Sequence, residues 1–324
     1  MGIIKNKKIF LIIAAVIVLS GLAIVAIFGL KPGIDFTGGS LTEVRYNTLP
    51  EKTVIETAVS ELELGNTSVR HSESEVGSGY LVTTRDLSEE ERVALETKLT
   101  SIGEGGELVR FTSIGPVIGE ELKDKAVWAL GAVLGLIIIY VAFAFSGVGA
   151  PVSSWVYGFM TILVLGHDIL VPVAFASLMG EFAGVEADIL FVTVLLTILG
   201  FSVNDTIVIF DRVREKLKLN RTEKRRNIPV IGGKDEVEIT YTLTRPFGDL
   251  VGEAIDETMV RSINTSLTVL IALIALYFFG SSVTQTFALT LMVGIVAGAY
   301  SSIFIASPLL VLYQEQQDKK QKSK

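Results

Sequence analysis

Apolar residues in this chain come in long blocks, with polar stretches between them. The first block runs from Ile9 to Leu30, about 22 residues, which is enough to cross the hydrocarbon core of a bilayer. A long polar stretch follows, from about Lys31 to Lys125. Five more apolar blocks then crowd together: Ala126 to Phe145, Val152 to Leu178, Ala187 to Phe210, Ser262 to Phe279 and Val283 to Tyr313. Short Gly, Pro and Ser connections separate most of them, and one polar loop, Asp211 to Arg261, interrupts the series. The pattern predicts an α-helical polytopic membrane protein with six transmembrane helices. Lys5, Lys7 and Lys8 give the first block the flank of a signal peptide, but it is longer than a signal core and no small-x-small cleavage site follows. An uncleaved first helix is expected.

Charge then sets orientation. Lys5, Lys7 and Lys8 precede the first helix, Lys319, Lys320, Lys322 and Lys324 follow the last, and a basic cluster from Arg212 to Arg226 opens the long loop. Under a six-span count all three groups fall on one side, which the positive-inside rule makes cytoplasmic. Both termini are therefore expected in the cytoplasm, and the 31–125 segment outside it. The chain divides into 1–30 (N-terminus and first helix), 31–125 (exported domain), 126–210 (helices two to four), 211–260 (cytoplasmic loop), 261–313 (helices five and six) and 314–324 (cytoplasmic tail).

Composition agrees with the membrane class. Half of the 324 residues are hydrophobic and 19 % are charged, against about a quarter in a soluble domain. The net charge of −7 describes no single surface, because charges are segregated by segment. The absence of cysteine excludes disulfides, thiolate chemistry and Cys-based zinc sites, and two histidines argue against a His-rich metal site. No metal, cofactor or nucleic-acid partner is expected.

Within the exported segment, Ser40 to Tyr46 has strand character, with Leu41, Val44 and Tyr46 available to a core. Pro50 and Glu51 open a helical pattern with Val54, Ile55, Ala58, Val59 and Leu62. Ser68 to Ser72 and Gly79 to Thr84 read as short strands. Ser88-Glu89-Glu90-Glu91 is a capping box opening a helix that carries Val93, Ala94 and Leu99. Glu107 to Thr112 makes a last strand. The order β-α-β-β-α-β predicts an α+β ferredoxin-like domain. Glycines crowd its two ends, in Gly33-Ile34-Asp35-Phe36-Thr37-Gly38-Gly39 and Ser113-Ile114-Gly115-Pro116. They suit either tight turns or a hinge against the membrane.

Ionisable residues inside spans are functional candidates, because they cost several kcal/mol there. Asp205 lies within the fourth block between Asn204 and Thr206. A carboxylate held between burial and a nearby cation is what an ion carrier needs, whereas a packing hydrogen bond is the plainer reading. Arg261 opens the fifth block and shares a helix face with Thr265 and Thr268, near Asn264. It either snorkels to the interface or lines a path with Asp205. His167 and Asp168 sit mid-span in the third block, five and four residues before Pro172, as a relay or as a packing pair. Gly131-x-x-x-Gly135 and Gly294-x-x-x-Gly298 are close-packing signals.

Together these segments resemble the SecF family, the smaller membrane subunits of the SecD–SecF accessory complex of the bacterial protein translocase. The match is carried by Gly33-Ile34-Asp35-Phe36-Thr37-Gly38-Gly39, Ser113-Ile114-Gly115-Pro116, His167-Asp168, Asn204-Asp205-Thr206 running on to Phe210-Asp211-Arg212-Val213-Arg214-Glu215, and Arg261 with Thr265-Ser266-Leu267-Thr268. The resemblance implies one six-helix half of an RND-type bundle in the bacterial cytoplasmic membrane, with a SecD-like subunit as the other half. It further implies SecYEG, YajC and the translocating polypeptide as partners, and inward proton flow coupled to export. It assigns proton movement to the positions of Asp205 and Arg261. One departure is a 220–244 loop longer than the family's usual one, with Val237, Ile239 and Tyr241 alternating as in a hairpin. An RND-type exporter of small molecules or lipids is the alternative reading. An intramembrane aspartyl protease built on Asp168 and Asp205 is a weaker one, because Gly166-His167-Asp168 lacks the Gly-x-Gly-Asp of that class. We expect no enzymatic activity.

Overall fold

The computed structural model describes residues 2–74, 77–145, 152–228 and 236–322. Among them are six helices long and apolar enough to cross a membrane. A short turn of helix, α1 (Gly2–Lys5), precedes the first long one, α2 (Lys7–Phe28). A small α+β domain follows. It contains α3 (Ile34–Thr37), β1 (Gly39–Tyr46), α4 (Lys52–Ser60), β2 (Ser68–Ser74), β3 (Gly77–Thr84), α5 (Glu89–Ile102) and β4 (Glu107–Ile114). The remaining long helices are α6 (Pro116–Ala144), α7 (Ser154–Ala183), α8 (Ile189–Leu219), α9 (Phe247–Phe279) and α10 (Ser282–Ser301). Alpha10 continues through a π-helical turn, Ser302–Ala306, into α11 (Ser307–Lys322) as one span.

The four strands form one antiparallel sheet in the order β2-β3-β1-β4. Because strand side chains alternate between faces, the sheet has two distinct surfaces. Thr42, Val44 and Tyr46 of β1 turn to the helices, where they meet Ile55 and Val59 of α4 and Leu95 and Leu99 of α5. Tyr46 donates to the Leu99 carbonyl at 2.8 Å, and burial, with the neighbouring Tyr80, pushes its hydroxyl up to about 12. Ser88 and Glu91 make the expected reciprocal cap of α5. The inward positions differ from expectation in detail. Leu41 faces away from this core, Val54 and Val93 are exposed, and α5 buries Leu95 and Leu99.

The opposite sheet surface carries Leu41, Glu43, Arg70, Ser72, Arg110 and Thr112, and the register places them on one face. That surface turns toward the helical bundle and closes a cavity of about 230 Å³ with the ends of α7, α8 and α10.

In the bundle, α7, α8 and the last span are central, with 44 %, 50 % and 67 % of their most apolar stretches buried. For α2, α6 and α9 the shares are 11 %, 6 % and 17 %. Packing of α10 on α8 is close: a Cβ at Gly294 would come 2.0 Å from the Ile198 side chain, and one at Gly298 3.3 Å from Ser202. A Cβ at Gly131 or Gly135 of α6 would meet nothing within 4 Å among the described residues, so this pair makes no such close approach there. Helices α6 and α9 begin well before their apolar blocks, because charged residues continue the helix. Lys125 pairs with Glu121 at 2.7 Å within α6. Lys216 and Arg212 of α8 reach Glu257 of α9 at 2.6 and 2.5 Å. In the 220–244 loop, β5 (Arg221–Ile228) and β6 (Glu236–Leu243) pair antiparallel.

Candidate functional site

A row of buried polar side chains crosses the three central helices. Asp168 on α7 is fully buried and accepts three hydrogen bonds. His167 Nδ1 lies 2.9 Å from one carboxylate oxygen, and the Ser202 hydroxyl of α8 and the Ser301 hydroxyl of α10, the latter at 2.7 Å, donate to the other. Local sequence prepares this meeting. Gly298 lets α10 approach α8 at Ser202. Pro172, within α7, lacks the N–H that would bond the carbonyl of Asp168 and leaves the backbone polar there. The π-helical turn begins directly after Ser301, and such turns frequently mark functional positions. Thr206 of α8 extends the row, donating to the Ser302 hydroxyl at 3.3 Å.

Asp205 follows Ser202 by three residues and therefore lies on the same helix face. It is 2 % exposed, and its Oδ2 has no hydrogen-bond partner among the described residues. His167 Nε2 is also buried without one. Satisfied and unsatisfied groups thus sit side by side: Asp168 is tied on three sides, and Asp205 is not.

Other sequence candidates lie elsewhere. Asn204, Arg261 and Thr268 are exposed on the bundle's outer surface. Thr265 donates to the Arg261 carbonyl at 2.9 Å and Thr268 to the Thr265 carbonyl at 2.8 Å, so both hydroxyls serve their own helix and line no internal path. Arg261 is the cation whose charge reaches Asp205, but among the described residues the two form no ion pair. Alpha9 instead turns Ser262 and Ser266 inward. Sequence reasoning missed Ser202, Ser301 and Ser302, whose only signal is their spacing from Asp205 and Gly298.

The two glycine-rich ends of the α+β domain meet. Gly38 and Gly39 have φ of 72° and 138°, so both are turn glycines. A Cβ at Gly38 would lie 2.7 Å from Pro116 Cα, and one at Gly119 2.7 Å from the Gly38 nitrogen, next to Phe36. Gly115 caps α6, with Pro116 in its first turn. Gly33 donates to the Ala187 carbonyl at 2.8 Å, and Ala187 to the Lys31 carbonyl at 2.7 Å. The Asp35 carboxylate accepts the Ile189 N–H at 2.8 Å and so caps α8, the helix that carries Asp205. Gly38→Ala should lower stability by at least about 1 kcal/mol, through strain and the clash with Pro116. Thermal melting of the purified chain checks this, and an unchanged midpoint would mean that the turn relaxes freely.

Fold and site together define a multi-pass membrane protein: a six-helix bundle with a buried polar row, joined by a capped glycine turn to an α+β domain. The chain matches two family descriptions, "Protein export membrane protein SecD/SecF, C-terminal" over residues 94–245 and 234–316, and "SecD/SecF GG Motif" over 23–48. The protein translocase subunit SecF of Sebaldella termitidis is 36 % identical over 95 % of this chain and 90 % of its own length. SecF of Thermobaculum terrenum is 35 % identical over 96 % and 93 %. The crystal structure of SecDF from Thermus thermophilus superposes with a TM-score of 0.80 at 30 % identity, over 97 % of this chain and 39 % of that longer one. The chain belongs to the SecD/SecF family of protein-export membrane proteins.

Proposed function

We propose that this chain is a SecF-like subunit of the Sec machinery, coupling an ion gradient across the cytoplasmic membrane to protein export together with a SecD-like subunit. The observation that carries the coupling is Asp205, a carboxyl buried in an apolar bundle with one oxygen unpaired. Such a group is costly to keep there, which makes it a functional candidate. In this reading Asp205 is the carrier and Arg261 its counter-charge. His167, Asp168 and Thr206 form the adjoining polar row, and Asn204, Thr265 and Thr268 belong to the face toward the partner half. Helices α6 and α9, with Trp128, Phe143, Arg261 and Thr268 uncovered by this chain, suit a second six-helix half. The length of the SecDF chain, of which this one covers 39 %, supports the same arrangement. Six spans with basic residues on one side support cytoplasmic termini and an exported domain. The strand order β2-β3-β1-β4 supports a ferredoxin-like fold for that domain.

The tagged full-length chain, isolated in mild detergent, should bring a SecD-like subunit with it. Membrane vesicles containing both should export a preprotein faster with an imposed proton gradient, and an ionophore should remove the gain. A gain that survives the ionophore would rule out coupling to that gradient.

A further inference from the structure

The polar face of the sheet and the α7–α8 connection enclose the 230 Å³ cavity with opposed charges. The domain contributes Arg70 from β2 and Arg110 from β4, with Glu43 of β1 beside them; Arg110 pairs with Glu43 at 3.5 Å. From the bundle side come Glu186 and Asp188, and Asp35 of the glycine turn joins them. Two of these acids already serve α8, since Asp188 accepts the Phe191 N–H at 2.9 Å and Asp35 that of Ile189. Glu186 lies in the α7–α8 connection and lines the cavity with Arg70, whose charge opposes the effect of burial on its carboxyl. Arg70 in turn feels Glu186, Asp188 and Glu43. Next to it on the same strand and face, Ser72 lies 3.1 Å from Ser282 at the start of α10.

We infer that Arg70 is a positioning residue: it seats the α+β domain on the outer ends of α8 and α10 by neutralising the Glu186–Asp188 pair. Without Arg70 the docked pose presses Glu186, Asp188 and Asp35 together beneath Glu43, and Arg110 is the one cation left among the described residues that line the cavity. Docking then requires that a carboxyl take up a proton instead. Burial raises Glu186 and Asp188 above their ordinary values, and Arg70 pulls both back down. Groups that bind protons more tightly docked than free favour docking in acid, and the benefit is lost as pH rises through their docked values. Acidification on the domain side therefore tightens the seat, and the effect is larger once Arg70 is gone. This holds whichever ion passes near Asp205, since the contact is read without any export.

The chain has no cysteine, which makes the test direct. Ser72→Cys with Ser282→Cys reports docking by disulfide formation in membranes carrying the full-length chain. Ser40→Cys with Ser113→Cys, hydroxyls 3.0 Å apart inside the sheet, reports that the domain is folded. Taking the docking rate relative to the control pair cancels the pH dependence of the thiol chemistry. At about pH 7.5, Arg70→Gln should lower the ratio by at least about tenfold. At about pH 5, nearer the ordinary carboxyl range, the ratio should rise toward native. At the higher pH, adding Glu186→Gln should also restore it. An unchanged ratio in Arg70→Gln overturns the inference, and so does a loss that neither acid nor Glu186→Gln repairs.

Discussion

Asp205→Asn should insert and assemble as the native chain does, yet lose gradient-driven export. Asparagine keeps the size and the hydrogen-bonding oxygen but can neither bind nor release a proton. The native carboxyl is buried, and among the described residues its Oδ2 has no hydrogen-bond partner that the substitution would remove. The melting temperature should stay within about 2 °C of native, since little stability is at stake. The gradient-dependent part of export should fall at least about tenfold, to the level of vesicles without the chain. Retention of full stimulation would remove Asp205 from the ion path.

The second large effect belongs to Asp168 and has the opposite character. Asp168→Ala removes the acceptor of three donors on three helices, His167, Ser202 and Ser301. A buried donor left without an acceptor costs about 1–3 kcal/mol. The combined loss should exceed about 3 kcal/mol and appear as a lowered melting temperature and poor yield in detergent. Asp168→Asn keeps one carbonyl acceptor and should lose far less. If alanine were as stable as aspartate, the row would not hold the bundle together. The pair of neighbouring acids thus separates by test: one is expected to fail in function while folded, and the other in folding.

Much of this was legible in the sequence because the signals are local. Six apolar blocks appear as six helices, and the Ser88–Glu91 cap forms as written, since a cap needs only four consecutive residues. Asp205 was readable as a buried acid from its apolar flanks. What escaped depends on which helices touch. Arg261, Thr265 and Thr268 share a helix face as expected, but that face turns away from the chain's own core. Ser202 and Ser301 carry no charge and stand 99 positions apart; only the closeness allowed by Gly298 makes them partners of one carboxylate. The glycine turns likewise left two readings open. Positive φ at Gly38 and Gly39 accounts for the turns, and the contact of Asp35 with the first N–H of α8 gives them a further role that spacing does not encode.

That contact gives the coupling scheme a physical link. The domain is held to α8 by Asp35 and, on our inference, by Arg70 over Glu186. Some 16 residues further along the same helix, about 24 Å at its rise per residue, lies Asp205. A shift of α8 on loading or unloading Asp205 would move the seat and its cap together, and with them the domain.

The most direct measurement is proton uptake by sealed vesicles containing the chain and its SecD-like partner, followed with an interior pH dye after an acid jump outside. Native protein should acidify the interior faster than empty vesicles, and Asp205→Asn should match the empty ones. Equal uptake by native protein and Asp205→Asn would contradict the account.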